Sequence, residues 1–190
     1  MILYIMAGMR AILTLPLLLL LAACGGSGSY DPAPPRVGSY VGGTVPLECA
    51  PFARALSGVR LYGPAGDWWW EAEGRYARSY TPEVGSVLVF TPSARLRSGH
   101  VSVVSRVVSS RQVLVTQANW VHHRVTEDQP VIDISPRNDW SEVRVWWPPS
   151  GQMGIHPYPT FGFIRASRPA SHEQLADKTP AAIRLAMAGR

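Results

Sequence analysis

Three side chains of the 190-residue sequence have types and an order that suit nucleophilic catalysis. Cys49 stands in "VPLECAPFARAL", His100 opens a Val-rich segment after a Ser-Gly pair, and Asn119 ends the next such segment. A cysteine nucleophile needs a lowered thiol pKa, a nearby base and a group that orients that base. An amide can fix the tautomer of an imidazole, so the three residues form a candidate catalytic centre.

The alternative for Cys49 is an inert thiol in the core, which is the more frequent fate of an isolated cysteine. The only other cysteine is Cys24, which closes the leader "MRAILTLPLLLLLAAC". A positive charge, a short apolar run and small residues predict a secretory signal, and the run is too short to span a bilayer. The start could be Met1 or Met9.

The end of this leader, "LAAC" followed by Gly25, resembles a bacterial lipobox. That resemblance implies a lipoprotein signal peptide over residues 1–23, lipidation of Cys24 and sorting to the outer membrane, facing the periplasm. Residues 24–43 are dense in Gly, Ser and Pro, which predicts a flexible tether. A lipidated Cys24 would leave Cys49 without a disulfide partner in an exported protein, and this calls for an explanation.

Composition favours one globular domain, expected over residues 44–168, followed by a tail at 169–190. Hydrophobic residues make up 46% and charged residues 16% of the chain, which is compatible with a packed core. The formal net charge is +5 and Lys178 is the only lysine. This modest positive charge suits an anionic envelope surface, and no nucleic-acid module is recognisable.

The elements that must position the candidate residues can be outlined from periodicity and turn residues. Apolar spacing predicts a helix over 48–58, which puts Cys49 at its start, and a second short helix over 68–77. Residues 127–140 are predicted to be a loop, with Pro130 and Pro136 in it. The expected class is α+β, with helices followed by an antiparallel sheet whose strands lie at 85–92, 99–110, 111–121, 143–149 and 160–166.

The segments "ECAPFAR", "GSVLVF", "GHVSVV" and "VTQANW" resemble, in order and spacing, those of CHAP domains, the cysteine, histidine-dependent amidohydrolase/peptidase family. The resemblance runs from about Val45 to Ala166. It implies a papain-like fold and cleavage of amide bonds in peptidoglycan. Carried over by position, Cys49 matches the nucleophile and His100 the general base.

Three positions around this pair qualify the resemblance. Many members have an acid where this chain has Gln117, which leaves Asn119 as the matching orienting group. Members often carry Gln just before the nucleophile, where this chain has Glu48. Members often carry Asp where Ser86 stands. By likeness to papain, Trp120 could shield the hydrogen bond between the orienting amide and the imidazole.

The implied mechanism is acyl transfer through the Cys49 thiolate, with no metal or other cofactor. The resemblance leaves open whether the bond cut is the glycan–peptide amide or one within the stem peptide. A catalytically inactive envelope-binding protein and an acyltransferase remain alternatives. The expected partners are peptidoglycan and, through Cys24, a membrane, and the protein is expected to be a monomer that binds no nucleic acid.

Other residues with chemical potential receive structural interpretations. His122 and His123 are adjacent, and on a strand they would point to opposite faces, so a metal site with His156 is not expected. Asp133 and Asp139 are interpreted as turn residues, with Asp133 a reserve candidate for the missing acid. At least one side chain of the Trp68–Trp70 run should be exposed, and a substrate groove there is an open interpretation.

Overall fold

The computed structural model describes residues 37–189, in which antiparallel strands predominate. Six strands close on themselves in the order β3-β4-β5-β6-β7-β9, with β9 pairing back to β3. Strands β1, β2 and β8 extend this barrel at β6, β9 and β7. The elements are β1 Ser39–Val41, α1 Cys49–Ser57, α2 Trp68–Glu71, β2 Arg78–Ser79, β3 Val87–Phe90, β4 His100–Ser109, β5 Gln112–Ala118, β6 Val125–Asp133, β7 Glu142–Trp147, β8 Gln152–Met153, β9 Tyr158–Ile164 and α3 His172–Ala188.

The expected α+β papain-like fold, with N-terminal helices packed on an antiparallel sheet, is wrong. The sheet is a closed six-stranded barrel with extra strands, and the described residues contain only three α-helices. The difference arises mainly at residues 127–140, whose predicted loop includes most of strand β6. Because β6 pairs with both β5 and β7, it is one of the strands that close the barrel.

Strand β6 tolerates its proline because of where the residue lies. Pro130 falls between the part of β6 that pairs with β1, residues 125–127, and the part that pairs with β7, residues 131–133. One edge of the strand changes partner there, so the missing N–H removes little hydrogen bonding. The loop prediction gave Pro130 too much weight as a strand breaker.

Two apolar cores explain the Val-rich strands. One core draws residues from all six barrel strands, including Phe90, Val104 and Phe163. The other joins helices α1 and α3 to the opposite faces of β3 and β4, where Val89 and Val101 are fully buried. Strands buried on both faces read as almost continuous apolar runs, which is why the sequence predicted them well.

Regular structure extends beyond the domain limits expected from the sequence. Strand β1 lies within the predicted tether and pairs with β6. Helix α3 lies within the predicted tail, begins with a capping box at Ser171 and packs on α1. Residues 1–36, with the predicted signal peptide and Cys24, lie outside the described part of the chain. Among residues 37–189, no helix is both long and apolar enough to cross a membrane.

Candidate active site

Cys49 is the first residue of α1, as the sequence predicted. The preceding residue, Glu48, is the N-cap of the helix and has an extended backbone (φ −87°, ψ 156°). Pro51 stands in the first turn, where its missing N–H costs no helical hydrogen bond. Phe52 and Leu56 anchor the helix in the apolar core. These contacts fix the helix start, and with it the half-buried thiol.

A close contact between two glycines fixes the position of His100. Gly99 has φ +71°, and a Cβ atom on it would lie 2.6 Å from the Gly66 Cα. The Gly66 N–H donates to the Ser98 carbonyl at 2.8 Å and ties the two segments together. Only glycine combines this φ with such proximity. His100 therefore begins β4 in a fixed position and is 3% exposed.

Helix α1 and strand β4 bring Cys49 to the segment that carries His100. The two elements pack directly against each other. The backbone N–H of Val101, the residue after His100, acts on the Cys49 thiol and lowers its pKa. A donor at this position stabilises the thiolate form of the sulfur.

Gln117 is the residue that holds the imidazole. His100 Nε2 lies 2.7 Å from Gln117 Oε1, and both side chains are buried. A carboxamide oxygen only accepts hydrogen bonds, so His100 carries its proton on Nε2 in this arrangement. The other ring nitrogen, Nδ1, is then unprotonated and can accept a proton from a thiol.

Asn119 occupies a different place from the one expected. It follows the last residue of β5 and adopts a left-handed backbone conformation, with φ +61°. Its Nδ2 donates to Glu48 Oε2 at 2.9 Å, and its Oδ1 accepts from the His123 N–H at 2.9 Å. The orienting contact predicted for Asn119 is thus made by Gln117, while Asn119 holds the carboxylate beside Cys49.

An aromatic wall covers the imidazole, and Trp120 is part of it, as anticipated. The Trp120 ring meets the His100 ring edge-on, with centroids 5.1 Å apart, and Phe90 does so at 5.5 Å. Tyr158 packs against Trp120 at 5.0 Å. Phe90 and Tyr158 were not predicted from the sequence. They lie far apart along the chain, and only the pairing of β3 with β9 brings them together at the imidazole.

Burial sets the charge state of the pair. It lowers the pKa of His100 from 6.5 to about 4, against the opposing effects of the Gln117 hydrogen bond and the Glu48 charge. Burial also raises the pKa of the Cys49 thiol, and the Glu48 carboxylate adds to that rise, whereas the Val101 N–H opposes it. At Cys49 burial therefore outweighs the effect of the helix start, which favours the thiolate. With these shifts the Cys49 thiol and the His100 imidazole are both neutral at neutral pH.

The remaining candidates lie in structural arrangements. His122 and His123 stack on each other at 3.7 Å in a turn, not on opposite faces of a strand. Within residues 37–189, no group of three or more His, Cys, Asp or Glu side chains is placed to hold a metal ion. Asp133 accepts from the Ser135 N–H at 2.8 Å and pairs with Arg111, so it does not replace the missing acid. Asp139 accepts from Ser141 in a turn, as predicted.

The tryptophan run divides as expected. Trp68 and Trp69 are buried in the core between the helices and the barrel, whereas Trp70 is 60% exposed. The Trp70 ring meets Phe161 edge-on at 5.7 Å. Trp70 is therefore a surface aromatic that a ligand could reach, while its two neighbours stabilise the fold.

The comparison with family models gives a match over the part of the chain that forms this site. The model of the CHAP domain matches residues 38–119. No curated protein and no solved structure matches the chain. The matched segment contains Cys49, His100, Gln117 and Asn119, together with the helix and strands that position them. Residues 38–119 are therefore similar to the CHAP domain, a family whose members are generally amidases or peptidases.

Proposed function

We propose that the protein is a peptidoglycan hydrolase that cleaves an amide bond with Cys49 as nucleophile and His100 as general base. The observation that carries the proposal is the 2.7 Å contact between His100 Nε2 and Gln117 Oε1. It leaves Nδ1 free to take a proton, and the backbone N–H of the next residue on the strand, Val101, lowers the pKa of the Cys49 thiol. A base with a fixed tautomer beside a nucleophile is the arrangement that acyl transfer requires.

The first half of the reaction forms an acyl-enzyme. The Cys49 S–H proton passes to His100 Nδ1 as the sulfur attacks the carbonyl carbon, and a tetrahedral oxyanion results. Because the resting pair is neutral, proton transfer accompanies attack and no standing ion pair is needed. The C–N bond then breaks, the amine leaves with the proton from His100, and a thioester joins the acyl group to Cys49.

The second half restores the enzyme. His100 takes a proton from water, the resulting hydroxide attacks the thioester carbonyl, and the C–S bond breaks. The thiol regains its proton from His100, and the acyl group leaves as a carboxylic acid. Throughout, Gln117 keeps the imidazole oriented, although a neutral amide stabilises the imidazolium less than a carboxylate would.

The oxyanion depends on donors close to the thiol. Backbone N–H groups at the start of α1, which include those of Cys49 and Ala50, favour negative charge there. The Glu48 side chain, where the resemblance leads one to expect Gln, has no N–H to donate. We infer a slower first step than with an amide at this position, because Glu48 adds a negative charge near the one that develops.

The proposal extends to the cell envelope. With Cys24 as a lipidated N-terminal residue, the domain would act on peptidoglycan from a membrane anchor, in the periplasm if that membrane is the outer one. The basis is the lipobox-like "LAAC" before Gly25. Growth with a labelled fatty acid tests this, since the label should enter the wild-type protein and be absent from Cys24→Ala.

Digestion of purified peptidoglycan tests the catalytic proposal. Wild-type protein should release soluble fragments with new amine or carboxyl termini, whereas Cys49→Ala and His100→Ala should release none above background. Equal release by wild type and Cys49→Ala would refute the mechanism. Circular dichroism of both variants checks that the fold is retained.

An envelope-binding protein without catalysis is the second candidate. It is favoured by the raised pKa of Cys49, the lowered pKa of His100 and the neutral Gln117. Sedimentation with peptidoglycan, with no cleavage product over a long incubation, would support it. It would further require that iodoacetamide reacts with Cys49 no faster than with a model thiol.

A further inference from the structure

Two neighbouring clefts lie outside the catalytic site, between α1, α3 and the loops beside them. The first encloses about 480 Å³ and the second about 440 Å³. Both are lined by Gly58 and Arg60, so they form one continuous surface. Four cations line this surface, which is termed the basic face: Arg54, Arg60, Arg168 and Lys178.

No carboxylate neutralises the positive charge of the basic face. None of the residues that line either cleft is Asp or Glu, and Asp177, next to Lys178 in sequence, lines neither. Glu83, which lines a cavity beside the second cleft, pairs with Arg165 at 2.9 Å. The C-terminal ends of α1 and α3 also reach the first cleft. A helix end carries only about half an elementary charge, so the four full cations outweigh both ends.

The fold itself makes little use of these cations. Arg54 donates to the Leu61 carbonyl at 2.8 Å, and its guanidinium lies 4.4 Å from the centre of the Tyr62 ring. Both partners are neutral and leave its charge uncompensated. The other three cations are exposed, and within residues 37–189 their side chains form neither a hydrogen bond nor a salt bridge. Stability of the fold thus explains one of the four and leaves three available to an anionic partner.

Exposed apolar side chains stand beside the cations. Tyr62 and Leu185 line the first cleft, and each is 64% exposed. A small soluble anion would gain little from them. A bilayer, in contrast, takes up apolar side chains below its headgroups, while anionic headgroups attract Lys and Arg. The combination of unpaired cations and exposed apolar groups therefore suits an anionic membrane surface better than a free phosphate.

We propose that the basic face docks on a bilayer that contains anionic phospholipid. On α1, Pro51, Arg54 and Ala55 line the first cleft. At about 100° per residue, Cys49 lies on the opposite side of this helix, which packs on the barrel. Docking through the clefts therefore does not cover the thiol. It requires neither lipidation of Cys24 nor catalysis, so it can be tested separately from both.

Sedimentation with lipid vesicles tests the docking surface. The full chain with Cys24→Ala, which cannot be lipidated at that residue, is mixed with vesicles of phosphatidylcholine or of phosphatidylcholine and phosphatidylglycerol in equal parts. It should bind the anionic vesicles more strongly, and salt should weaken that binding. Arg60→Gln with Lys178→Gln should lower the partition coefficient on anionic vesicles about fivefold for each charge removed. Equal partition with and without these two substitutions would overturn the proposal.

Arg137→Gln with Arg144→Gln is the matched control, because both arginines are exposed and lie outside both clefts. It removes the same charge and should leave the partition coefficient unchanged. An equal loss in the two double variants would mean that net charge drives binding, and would overturn the assignment to the basic face. Circular dichroism of each variant checks that the fold is retained.

Leu185→Ser distinguishes a bilayer from a soluble polyanion. Leu185 is exposed and uncharged, so its replacement should weaken binding to anionic vesicles severalfold and leave binding of polyphosphate unchanged. If only the cations mattered for vesicle binding, the basic face would be a site for a soluble polyanion, and membrane docking would be refuted. Digestion of peptidoglycan has no part in these measurements, so failure of docking and failure of the proposed hydrolase are told apart.

Discussion

His100 and Gln117 are diagonal neighbours on β4 and β5, and Gln117 Oε1 accepts the Nε2 proton of His100 at 2.7 Å. Val103 pairs with Thr116, and the strands are antiparallel, so Gln117 lies opposite Ser102. From there its side chain reaches His100, the first residue of β4. The site thus has a neutral amide where the family resemblance leads one to expect an acid. Because Gln117 is neutral, it should influence both the pKa of His100 and the rate of the reaction.

Gln117→Glu should raise the pKa of His100, because a carboxylate at the Nε2 proton favours the imidazolium. A charged partner typically strengthens such a hydrogen bond by about 1 kcal/mol or more, so the rate at pH 8 should rise up to about tenfold. The acid limb of kcat/KM, expected near pH 4 in wild type, should move upward.

Gln112→Glu on the same strand is the control for this substitution, since Gln112 begins β5 away from the imidazole. Its acid limb should match that of wild type. An unchanged acid limb in Gln117→Glu would mean that Gln117 does not control the imidazole.

Glu48→Gln should lower the pKa of the Cys49 thiol, because it removes a negative charge that disfavours the thiolate. The amide oxygen of the new side chain can still accept from Asn119 Nδ2, so the loop contact should persist. We expect alkylation of Cys49 at pH 8 to be roughly three to ten times faster, as a change of up to one pKa unit would give. Rates are measured by mass spectrometry of iodoacetamide-treated protein.

Glu73→Gln, an exposed position after α2, controls for a general loss of negative charge. It should not change the alkylation rate. A Glu48→Gln rate equal to that of wild type would show that the carboxylate does not influence the thiol.

Substitutions of Asn119 separate its structural role from an orienting one. Asn119→Ala loses the contacts to Glu48 and to the His123 N–H and must hold a φ of +61° without the amide's local hydrogen bonds. We expect a loss of about 1–3 kcal/mol in the free energy of unfolding, measured with urea. Asn119→Gly loses the same two contacts but adopts this φ without strain, so it should lose less.

The same variants test whether Gln117 or Asn119 orients the His100 imidazole. If Gln117 is the orienting residue, the acid limb of the activity profile should stay in place in Asn119→Gly. A displaced limb there, with an unchanged limb in Gln117→Glu, would assign the role to Asn119 instead.

Buried His100 should make the fold less stable in acid. Its pKa is about 4 in the folded state and about 6.5 unfolded, so the unfolded chain binds the extra proton first. Stability from this group is complete above pH 6.5 and falls as the pH drops toward 4, by about 3 kcal/mol in all. The difference in unfolding free energy between wild type and His100→Gln, measured from pH 7 to pH 4, should shrink accordingly. A constant difference would contradict the low pKa.

The sequence was most informative where both faces of an element are buried or where a turn is sharply marked. The apolar spacing after Cys49 predicted α1, and the Val-rich runs predicted β3, β4 and β5. Strand β6 could not be recognised, because Asp128 and Pro130 interrupt its pattern and its partners are distant in sequence. Without β6, closure of the barrel was not foreseeable.

The sequence predicted that Cys49 begins a helix and His100 a strand, but it did not predict that Gln117 contacts the imidazole. Gln117 and Asn119 are both amides near the end of one strand, and only backbone geometry separates them. Gln117 lies within β5 on the buried side, whereas Asn119 lies beyond its end with a positive φ. The raised pKa of Cys49 was also hidden, because burial depends on packing that the sequence does not display.

The most direct test of Cys49 as nucleophile uses the wild-type protein and one reagent. Iodoacetamide is added to the enzyme, and samples are taken over time for peptide mapping at Cys49 and for release of amine termini from peptidoglycan. The account predicts that the fraction of activity lost equals the fraction of Cys49 alkylated at every time point. Protein fully alkylated at Cys49 that still released amine termini at the untreated rate would contradict it.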